Sequence, residues 1–404
     1  MHHWIIAPVV LPAILAPLIV LGMRGNLTLQ RLAGLSGTIA LAVISGGLLV
    51  AATNTPAESY HVGNWPAPFG IVLMLDRLSA LMLTLTAALA LVVQAYAIAT
   101  GWDAKGRHFH ALFLFQLMGL NGAFLTADAF NLFVFFEVLL IASYGLMIHA
   151  AGKDRLRAGI QYIAFNLIAS TLFLFALGTV YAVTGTLNMA DLALKVAALP
   201  EGDAALIRVA AILMLSVFAI KGALVPLQFW LPGTYANAPG PVAALFAILT
   251  KVGAYATIRM ATLIFPPDSA VTGPLVGDLL FWGALATILI GSAGVLGSRS
   301  LPRLAAFGTL ASMGTLFVAI AAFTPQATGA ALYYLIHSTL AGAVMFLLAD
   351  LILRAKLPIT IFSLETGRLH AETLGMVDRI RETYGYEVAL YKPEPAAVDA
   401  YVSA

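Results

Sequence analysis

The sequence predicts an all-α polytopic membrane protein with about eleven transmembrane helices and a short soluble α/β-like C-terminal tail. Of its 404 residues, 61% are hydrophobic and only 10% carry a charge, whereas soluble domains carry roughly 25% charged residues. The mean hydropathy is +0.94. Apolar stretches of about 20 residues, the length needed to cross a bilayer, recur along the chain. Together these features exclude a soluble globular enzyme as the main body.

Eleven apolar segments are long enough to cross a membrane as helices. The first of them lacks a basic start and a small-residue cleavage site, so it predicts a retained span rather than a signal peptide. A shorter segment, Met189–Ala198, has helical apolar spacing and is expected at the outer interface. The predicted spans cover residues 4–23, 32–52, 75–99, 108–127, 129–150, 158–184, 205–230, 241–264, 276–298, 302–323 and 328–354.

Basic residues are concentrated in alternate loops, which predicts how the chain is oriented. The outer loops carry one basic residue, Lys195, among several acidic ones. The positive-inside rule assigns the more basic set of short loops to the cytoplasm. We therefore expect a multi-pass protein of the bacterial inner membrane, with its N-terminus outside and its tail cytoplasmic. The inner loops hold Arg24, Arg31, Lys105, Arg107, Lys153, Arg155, Arg157, Arg299, Arg303, Arg354 and Lys356.

Four ionisable residues lie inside apolar stretches, where a charge is hard to keep. They are Glu137, Lys221, Lys251 and His337. A charge at the centre of a bilayer costs about 2.5–3.5 kcal/mol on insertion scales, so such residues usually face a protein interior or a water path. Their similar depth predicts a hydrated row of groups that carries protons across the membrane.

The seventh span is predicted to break just after Lys221. Pro226 has no N–H group, and its ring clashes with the carbonyl of Gly222 one turn earlier. Broken helices beside a charged residue recur at the ion sites of transporters, and a buried lysine is suited to proton exchange. The alternative is a lysine that extends its ammonium group to the nearby inner face.

The other ionisable residues also have structural alternatives. Glu137 would orient helices through a static ion pair, and His337 would be an ordinary hydrogen-bonded core histidine. Lys251 lies within about 15 Å of the inner face by helical rise, near the midplane, where its ammonium group reaches water poorly. His110 and His149 lie near helix ends, and we expect them at the membrane interface.

The sequence carries none of the usual signals for a cofactor, a metal or nucleic acid. It has no cysteine, which rules out disulfides, thiolate metal sites and iron–sulfur ligation. It has no phosphate loop, no paired-glycine dinucleotide fingerprint and no metal-ligand cluster, and the pair His2-His3 is too short for a metal site. The net charge of +2 does not favour nucleic acid. A transporter subunit is expected rather than a soluble enzyme, with any redox chemistry in its partners.

Several stretches resemble a known family of membrane proteins. The run Lys221–Leu245, followed by Lys251–Tyr255, is similar to the antiporter-like subunits of respiratory complex I and of the Mrp/Pha multisubunit cation/proton antiporters. Trp230–Tyr235 and Tyr333–Ala343 resemble the D subunit of Mrp/Pha antiporters in particular. Gln228 stands where complex I relatives usually carry histidine, which favours the Mrp/Pha branch.

The resemblance implies an antiporter-like fold with two inverted five-helix repeats. It implies that Glu137 and Lys221 form the coupling pair of the first repeat, and that Lys251 and His337 bridge to the second. The family's twelfth to fourteenth helices have no counterpart here, so a truncated second repeat is expected. The expected divisions are residues 1–107 for helices 1–3, 108–264 for the first repeat, 265–355 for the incomplete second repeat and 356–404 for the tail.

The tail differs in composition from the rest of the chain. Leu357–Leu364 and Gly385–Tyr391 are predicted as strands, with a helix over Ala371–Tyr384 between them, which is a soluble α/β pattern. Phe362–Leu374 resembles an internal piece of phosphoadenylyl-sulfate reductases. Those enzymes need an upstream glycine-rich phosphate loop and usually a C-terminal cysteine. The sequence has neither, so no reductase activity is expected.

The predicted function is that of a proton-translocating subunit in a multisubunit antiporter that exchanges Na+ or K+ for protons. Protons would move along water between Glu137, Lys221, Lys251 and His337. The expected partners are other antiporter subunits and the lipid bilayer, and no cofactor is expected. Two alternatives remain open. One is a proton-pumping subunit of NADH:quinone oxidoreductase or of a membrane hydrogenase, and the other is a truncated scaffold that conducts nothing.

Overall fold

The chain folds as two compact units, Met1–Asp350 and Leu351–Ala404. The structure is a computed structural model. It describes residues 2–200, 204–269 and 271–356, and in the tail residues 361–364, 375, 378–379, 381–382 and 388–391. The first unit is a bundle of helices with a small hairpin at one end.

The described part of the first unit is almost entirely helical, as the apolar periodicity predicts. Helices that face lipid and neighbouring helices are apolar around their whole circumference, which is why large side chains such as Leu21 and Leu296 are more than four-fifths exposed. The helices are α1 (Ala7–Gly22), α2 (Leu27–Asn54), α3 (Arg77–Ala99), α4 (Phe109–Leu125), α5 (Ala129–Met147), α6 (Lys153–Thr184), α7 (Met189–Ala197), α8 (Ala205–Gly222), α9 (Trp230–Asn237), α10 (Gly240–Phe246), α11 (Leu249–Leu263), α12 (Leu275–Leu296), α13 (Leu301–Ala321) and α14 (Pro325–Ala355).

The number of spans differs slightly from the prediction. Among the described residues, nine helical stretches are long and apolar enough to cross a membrane, with α10 and α11 together forming one of them. The other two predicted spans are the shorter apolar helices α1 and α4, of 16 and 17 residues. Helix α4 is short because the chain leaves it at Thr126 to pair with a strand. The predicted interfacial segment is helix α7, which buries Met189, Leu192 and Val196.

A small sheet at one end of the bundle was not predicted from the sequence. Strands β1 (Glu58–His61) and β2 (Val72–Leu75) form an antiparallel hairpin. The pairing continues from Leu73 to Thr126 and from Asp128 to Asn188. Because Asp128 and Asn188 also cap the N-termini of α5 and α7, this end of the bundle fixes where those helices begin.

In the tail, the described residues follow the predicted α/β pattern. Strands β3 (Ile361–Leu364) and β4 (Val388–Tyr391) pair in parallel, which requires a crossover connection. Within the predicted helix, the described positions 375, 378–379 and 381–382 are helical. The rest of that helix, and most of the stretch that resembles the reductases, lies outside the described residues.

An ion pair joins α11 to the start of α3. The Arg259 guanidinium donates to both carboxylate oxygens of Asp76, at 2.5 and 3.0 Å. Asp76 lies just outside the membrane-spanning part of α3, where it accepts from the backbone N–H of Ser79 as the N-cap. Burial raises the pKa of Asp76, but its hydrogen bonds to Arg259 and Ser79 and the Arg259 charge outweigh this and lower the pKa below its ordinary value.

The Asp76–Arg259 pair should contribute measurably to stability. Asp76→Asn keeps the cap but removes the charge, and we expect it to cost about 1.5–3 kcal/mol, the contribution of hydrogen bonds to charged groups. Because the pKa of Asp76 is lower in the folded state than in the unfolded state, the pair stabilises the folded protein at neutral pH. This stabilisation decreases once the pH falls below the ordinary pKa of an aspartate, and it is lost as the pH falls through the lowered pKa of the folded state. Thermal unfolding of the purified protein in detergent measures the change.

A matched control is available for this substitution. Asp191→Asn removes an aspartate whose partner Lys195 lies 3.3 Å away with 43% of its side chain exposed, and such pairs contribute about 0–1 kcal/mol. Equal losses from the two variants would show that the Asp76 pair is no stronger than a surface contact.

Candidate functional site

Helix α8 ends directly after Lys221, as predicted. Its last residue is Gly222, and Ala223 takes a left-handed backbone conformation with φ of 55°. The break therefore begins three residues before Pro226, and the chain becomes helical again only at Trp230. Lys221 consequently lies in the last turn of α8, where the negative end of the helix dipole favours a cation.

The break leaves backbone groups without helical partners, and other helices supply them. The indole N–H of Trp230 donates to the carbonyl of Ile220 at 2.9 Å. The N–H of Val225 donates to the hydroxyl of Thr287 on α12 at 2.9 Å. Irregular backbone at membrane depth is tolerated only where such partners exist. The break is therefore stabilised by hydrogen bonds from neighbouring helices of the bundle.

Glu137 and Lys221 are connected through two polar residues of α6. The hydroxyl of Ser170 donates to Oε1 of Glu137, and Nζ of Lys221 donates to Oδ1 of Asn166 at 2.8 Å. Asn166 and Ser170 are four residues apart on one helix, so they lie on the same face. Direct contact within 4 Å between the carboxylate and the ammonium group is not among the ion pairs of the described residues. Instead, α6 separates and bridges the two charges.

The surroundings of Lys221 isolate it from lipid. Its side chain is buried, and Nζ lies 5.6 Å from the ring centroid of Phe136, within reach of a cation–π interaction. Asn166 is buried as well and donates to the carbonyl of Tyr162. Glu137 is half-buried. The site thus holds one cation and one carboxylate in a protein interior, each with a neutral hydrogen-bond partner.

Sequence analysis did not identify the two bridging residues. A signal was present, because Asn166 and Ser170 are polar residues four positions apart in a stretch of α6 whose other residues, apart from Thr171, are apolar. Such a pair marks a polar stripe on a transmembrane helix. The stripe faces α5 and α8 because of how α6 is rotated about its own axis in the bundle. A single sequence does not contain that information.

Lys251 lies in the interior, also as predicted. Its side chain has no exposed surface, and Nζ finds no acceptor among the described residues. It is the third residue of α11, directly after Ala247 and Ile248 interrupt the helical run from α10. A buried donor without a partner costs about 1–3 kcal/mol. A polar group within hydrogen-bond distance of the Lys251 amine would therefore stabilise it.

Helix α11 contacts α8 at the level of Lys221. A methyl group added at Gly253 would lie 2.6 Å from the backbone nitrogen of Gly222 and 2.7 Å from the carbonyl oxygen of Phe218. Only glycine permits this approach. Since Gly253 is two residues from Lys251, the contact ties the helix that carries Lys251 to the end of the helix that carries Lys221.

His337 is not brought into the interior with the other three residues. The sequence places it in an apolar span, where ionisable residues usually face a protein interior or a water path, and in the structure its side chain is exposed beside the ring of Tyr334, with ring centroids 6.3 Å apart. Helix α14 turns Ser338 and Thr339 inward instead, and a role of His337 in proton transfer stays a prediction. On that inner face, a methyl group at Gly342 would lie 3.9 Å from Ala247, at the α10–α11 interruption.

The chemistry available at this site is proton exchange. A carboxylate, two lysines and neutral hydroxyl and amide groups can bind, orient and release protons. Groups of three or more residues able to hold a metal ion are not found in the described part of the chain. Charges separated by protein dipoles interact more strongly in this low-dielectric interior than in water. A change in the protonation of one lysine therefore changes the electrostatic potential at the neighbouring groups.

Comparisons with known proteins show which family the chain resembles in sequence. The family model described as NADH:quinone oxidoreductase/Mrp antiporter, TM, matches residues 126–369. The chain is 45% identical over 361 residues to the D subunit of a probable K(+)/H(+) antiporter from Rhizobium meliloti, covering 88% of this chain and 67% of that protein. It is 39% identical over 351 residues to the D subunit of the Na(+)/H(+) antiporter from Bacillus subtilis, covering 86% and 70%.

The fold is also similar to a solved structure. A chain of the Mrp complex from Dietzia sp. DQ12-45-1b matches with a TM-score of 0.79 and 31% identity, over 87% of this chain and 65% of that one. The chain therefore spans about two thirds of the length of these relatives. The family match continues to residue 369, past the predicted end of the resemblance at residue 355.

The close approach of α8 and α11 can be tested at Gly253. Gly253→Ala should force the backbones of α8 and α11 apart and lower the unfolding temperature in detergent, because the added methyl group meets backbone atoms that cannot move aside. Gly308→Ala is the control, since a methyl group there meets nothing within 4 Å and alanine is a better helix former by about 1 kcal/mol. Equal unfolding temperatures for the two variants would contradict the contact.

Proposed function

This chain belongs to the NADH:quinone oxidoreductase/Mrp antiporter family of membrane proteins, and we propose that it is the proton-translocating D subunit of a multisubunit monovalent cation/proton antiporter. The proposal rests on its similarity to the D subunits of two antiporters and on the interior site. The names of those relatives divide between K(+) and Na(+), so the proposal covers either cation. Other antiporter subunits are its proposed partners.

The observation that carries the proposal is the α6 bridge between opposite charges. Ser170 holds Glu137 and Asn166 holds Lys221, so neither charge neutralises the other by direct contact. A static ion pair that only orders helices would bring the two groups together. Groups held apart but within electrostatic reach are suited to a relay, because each remains free to change its protonation state.

The proposed mechanism is electrostatic. A proton that reaches Lys221 makes this group positive, which stabilises the negative charge on Glu137 across α6. The proton then passes laterally to Lys251, whose helix touches α8 at Gly253. Release from Lys221 removes the stabilisation and allows Glu137 to take up a new proton. The break after Lys221 places the ammonium group in the last turn of α8 for this exchange.

His337 and the orientation of the chain remain part of the proposal. We place the N-terminus outside and the tail in the cytoplasm of a bacterial membrane, on the distribution of loop charges. His337 would exchange protons at the edge of the chain, because an exposed imidazole on α14 is accessible to neighbouring subunits. The resemblance of Phe362–Leu374 to the reductases stays a prediction and plays no part in the mechanism.

Removing the amine of Lys221 should abolish transport without preventing assembly. We expect Lys221→Ala, made in the chain expressed with its partner subunits, to reduce cation-driven proton flux in everted vesicles to the level of vesicles without the complex. The physical reason is that, in the described part of the chain, Lys221 is the base that α6 links to Glu137. Quenching of a pH-sensitive dye on addition of Na+ or K+ measures the flux and identifies the cation.

The control substitution is Lys195→Ala on α7, where the lysine is largely exposed and pairs with Asp191. It should leave flux unchanged. Copurification of the partner subunits with each variant verifies assembly. If Lys221→Ala assembles and transports as the unmodified complex does, the chain is a scaffold and the transport proposal fails.

The α6 bridge is tested by removing one hydroxyl group. Ser170→Ala takes the donor from Glu137 and should lower the rate of transport while assembly is preserved, because the carboxylate loses its orientation and one hydrogen bond to a charged group, worth about 1.5–3 kcal/mol. Thr171→Val removes a hydroxyl from the next residue, which is exposed and bonds only to its own helix. Equal rates for the two variants would exclude Ser170 from the relay.

A further inference from the structure

A second buried polar chain runs through α2, α3 and α4, and the antiporter proposal makes no use of it. Thr38, Gln94, His110 and Asp103 have no exposed surface. They come from α2, α3, α4 and the short 3-10 helix Asp103–Lys105. His110 lies in the first turn of α4, near a helix end as expected, and its side chain is completely buried beside a carboxylate. A buried histidine–aspartate pair is a candidate site for a proton.

The hydrogen bonds form one continuous and directional chain. The hydroxyl of Thr38 donates to Oε1 of Gln94 at 2.6 Å. Nε2 of Gln94 lies 3.2 Å from Nδ1 of His110 and donates to it. Nε2 of His110 lies 3.1 Å from Oδ2 of Asp103 and donates to it. This arrangement fits a neutral imidazole that carries its proton on Nε2.

The same residues can also satisfy a protonated imidazole. A second proton on Nδ1 needs an acceptor, and rotation of the Gln94 amide by a half turn presents Oε1 there. The rotated amide then donates from Nε2 to the Thr38 oxygen. The Thr38 hydroxyl has a second acceptor ready, because the carbonyl of Gly34 lies 3.0 Å from it. Each hydrogen bond between neighbouring members of the chain therefore has a counterpart in both states, which favours keeping a buried polar network.

The charge of a protonated His110 also has a counter-ion. Asp103 lies outside the membrane-spanning segments. Burial raises its pKa, but hydrogen bonds from Arg31 and His110 lower it by more, so this carboxyl is held anionic. Arg31 donates to both of its oxygens, at 2.6 and 2.9 Å, and one third of the Arg31 side chain is exposed. When His110 gains a proton, the Arg31 side chain can move toward water. Asp103 then serves as the counter-ion of His110.

Other titratable and charged groups face this site from neighbouring elements. His149, after α5, packs against the ring of Phe109 with centroids 5.1 Å apart, and the His110 ring lies 5.5 Å from the same centroid. His149 is hydrogen-bonded to the carbonyl of Trp102 at 2.8 Å. Lys105 and Arg155 lie over the Trp102 ring. Asp350 on α14 accepts from the indole N–H of Trp102 at 2.9 Å, but Asp103 is the carboxylate that contacts the His110 ring and is therefore its counter-ion.

The backbone is adapted to hold this pair. A methyl group at Gly34 would lie 2.6 Å from Nε2 of Gln94 and 2.9 Å from Nδ1 of His110. Glycine at this position of α2 therefore makes the room in which the Gln94 amide and the imidazole meet. Helix α2 therefore supplies three parts of the site. Gly34 leaves the space, Thr38 ends the hydrogen-bonded chain, and Arg31 is the partly exposed cation.

We propose that His110 is a proton-binding site that exchanges with the membrane face carrying Arg31, with Asp103 as its counter-ion and Gln94 and Thr38 as its rearranging partners. The site takes up a proton at Nδ1 and releases it there, and no other bond is made or broken. It is separate from the row of Glu137, Lys221 and Lys251. It stands independently of the antiporter proposal, because proton binding is measured without transport.

Solid-state nuclear magnetic resonance of the full chain in lipid bilayers tests the proposal. The histidines are labelled with ¹⁵N, and His110→Gln identifies the His110 signals by their loss. We expect His110 to change from a single neutral tautomer to the doubly protonated ring as the pH is lowered across about pH 8 to 5, the range in which histidine titrates. His61 on strand β1 is exposed and serves as a reference in every sample.

Two substitutions separate a proton site from a static contact. Asp103→Asn removes the counter-ion and should lower the His110 midpoint by about 1 pH unit or more. Gln94→Leu removes the acceptor for Nδ1–H of His110 and should also lower the His110 midpoint. This variant carries the test if Asp103→Asn does not fold. A His110 ring that stays neutral across the whole pH range, or a midpoint that these variants do not move, would overturn the proposal.

Discussion

The end of α8 at Lys221 is the constraint on which the arrangement of the interior site depends. Lys221 lies in the last turn of its helix, so its ammonium group meets the negative end of the helix dipole. The chain then turns at Ala223, and its freed backbone groups bond to Trp230 and Thr287. Against this same end, Gly253 brings α11 into backbone contact. One break therefore positions both lysines.

Lipid explains why the polar groups of this protein occur in hydrogen-bonded sets. A bilayer offers no water to an unpaired donor or acceptor, so each buried charge needs partners from other helices. Glu137 and Lys221 obtain theirs from Ser170 and Asn166 on α6. The second chain, from Thr38 to Asp103, obtains its partners from three different helices and a short 3-10 helix. In the first set neutral side chains link the ionisable ones, whereas in the second set His110 and Arg31 contact Asp103 directly and the neutral Gln94 and Thr38 extend the chain from His110.

The two sets differ in how they reach the surface. The second chain ends at Arg31, whose side chain is one third exposed, so it is connected to one membrane face through a partly exposed cation. Lys251, by contrast, has no exposed surface and finds no acceptor among the described residues. Among the described residues, His110 is thus joined to a partly exposed side chain through Asp103, and the Lys251 amine is joined to none. This difference is consistent with distinct tasks for the two sets.

The sequence by itself determined the class of protein, the apolar spans and the break after Lys221, because hydropathy and proline stereochemistry act locally along the chain. It also identified Glu137, Lys221 and Lys251 as interior charges, since a charge in an apolar span has few other places to lie. Only the tertiary structure decided that α6 bridges the first two. It also decided that His337 faces outward while His110 is buried. Those outcomes depend on the rotation and register of packed helices, which are set by contacts between residues far apart in the chain.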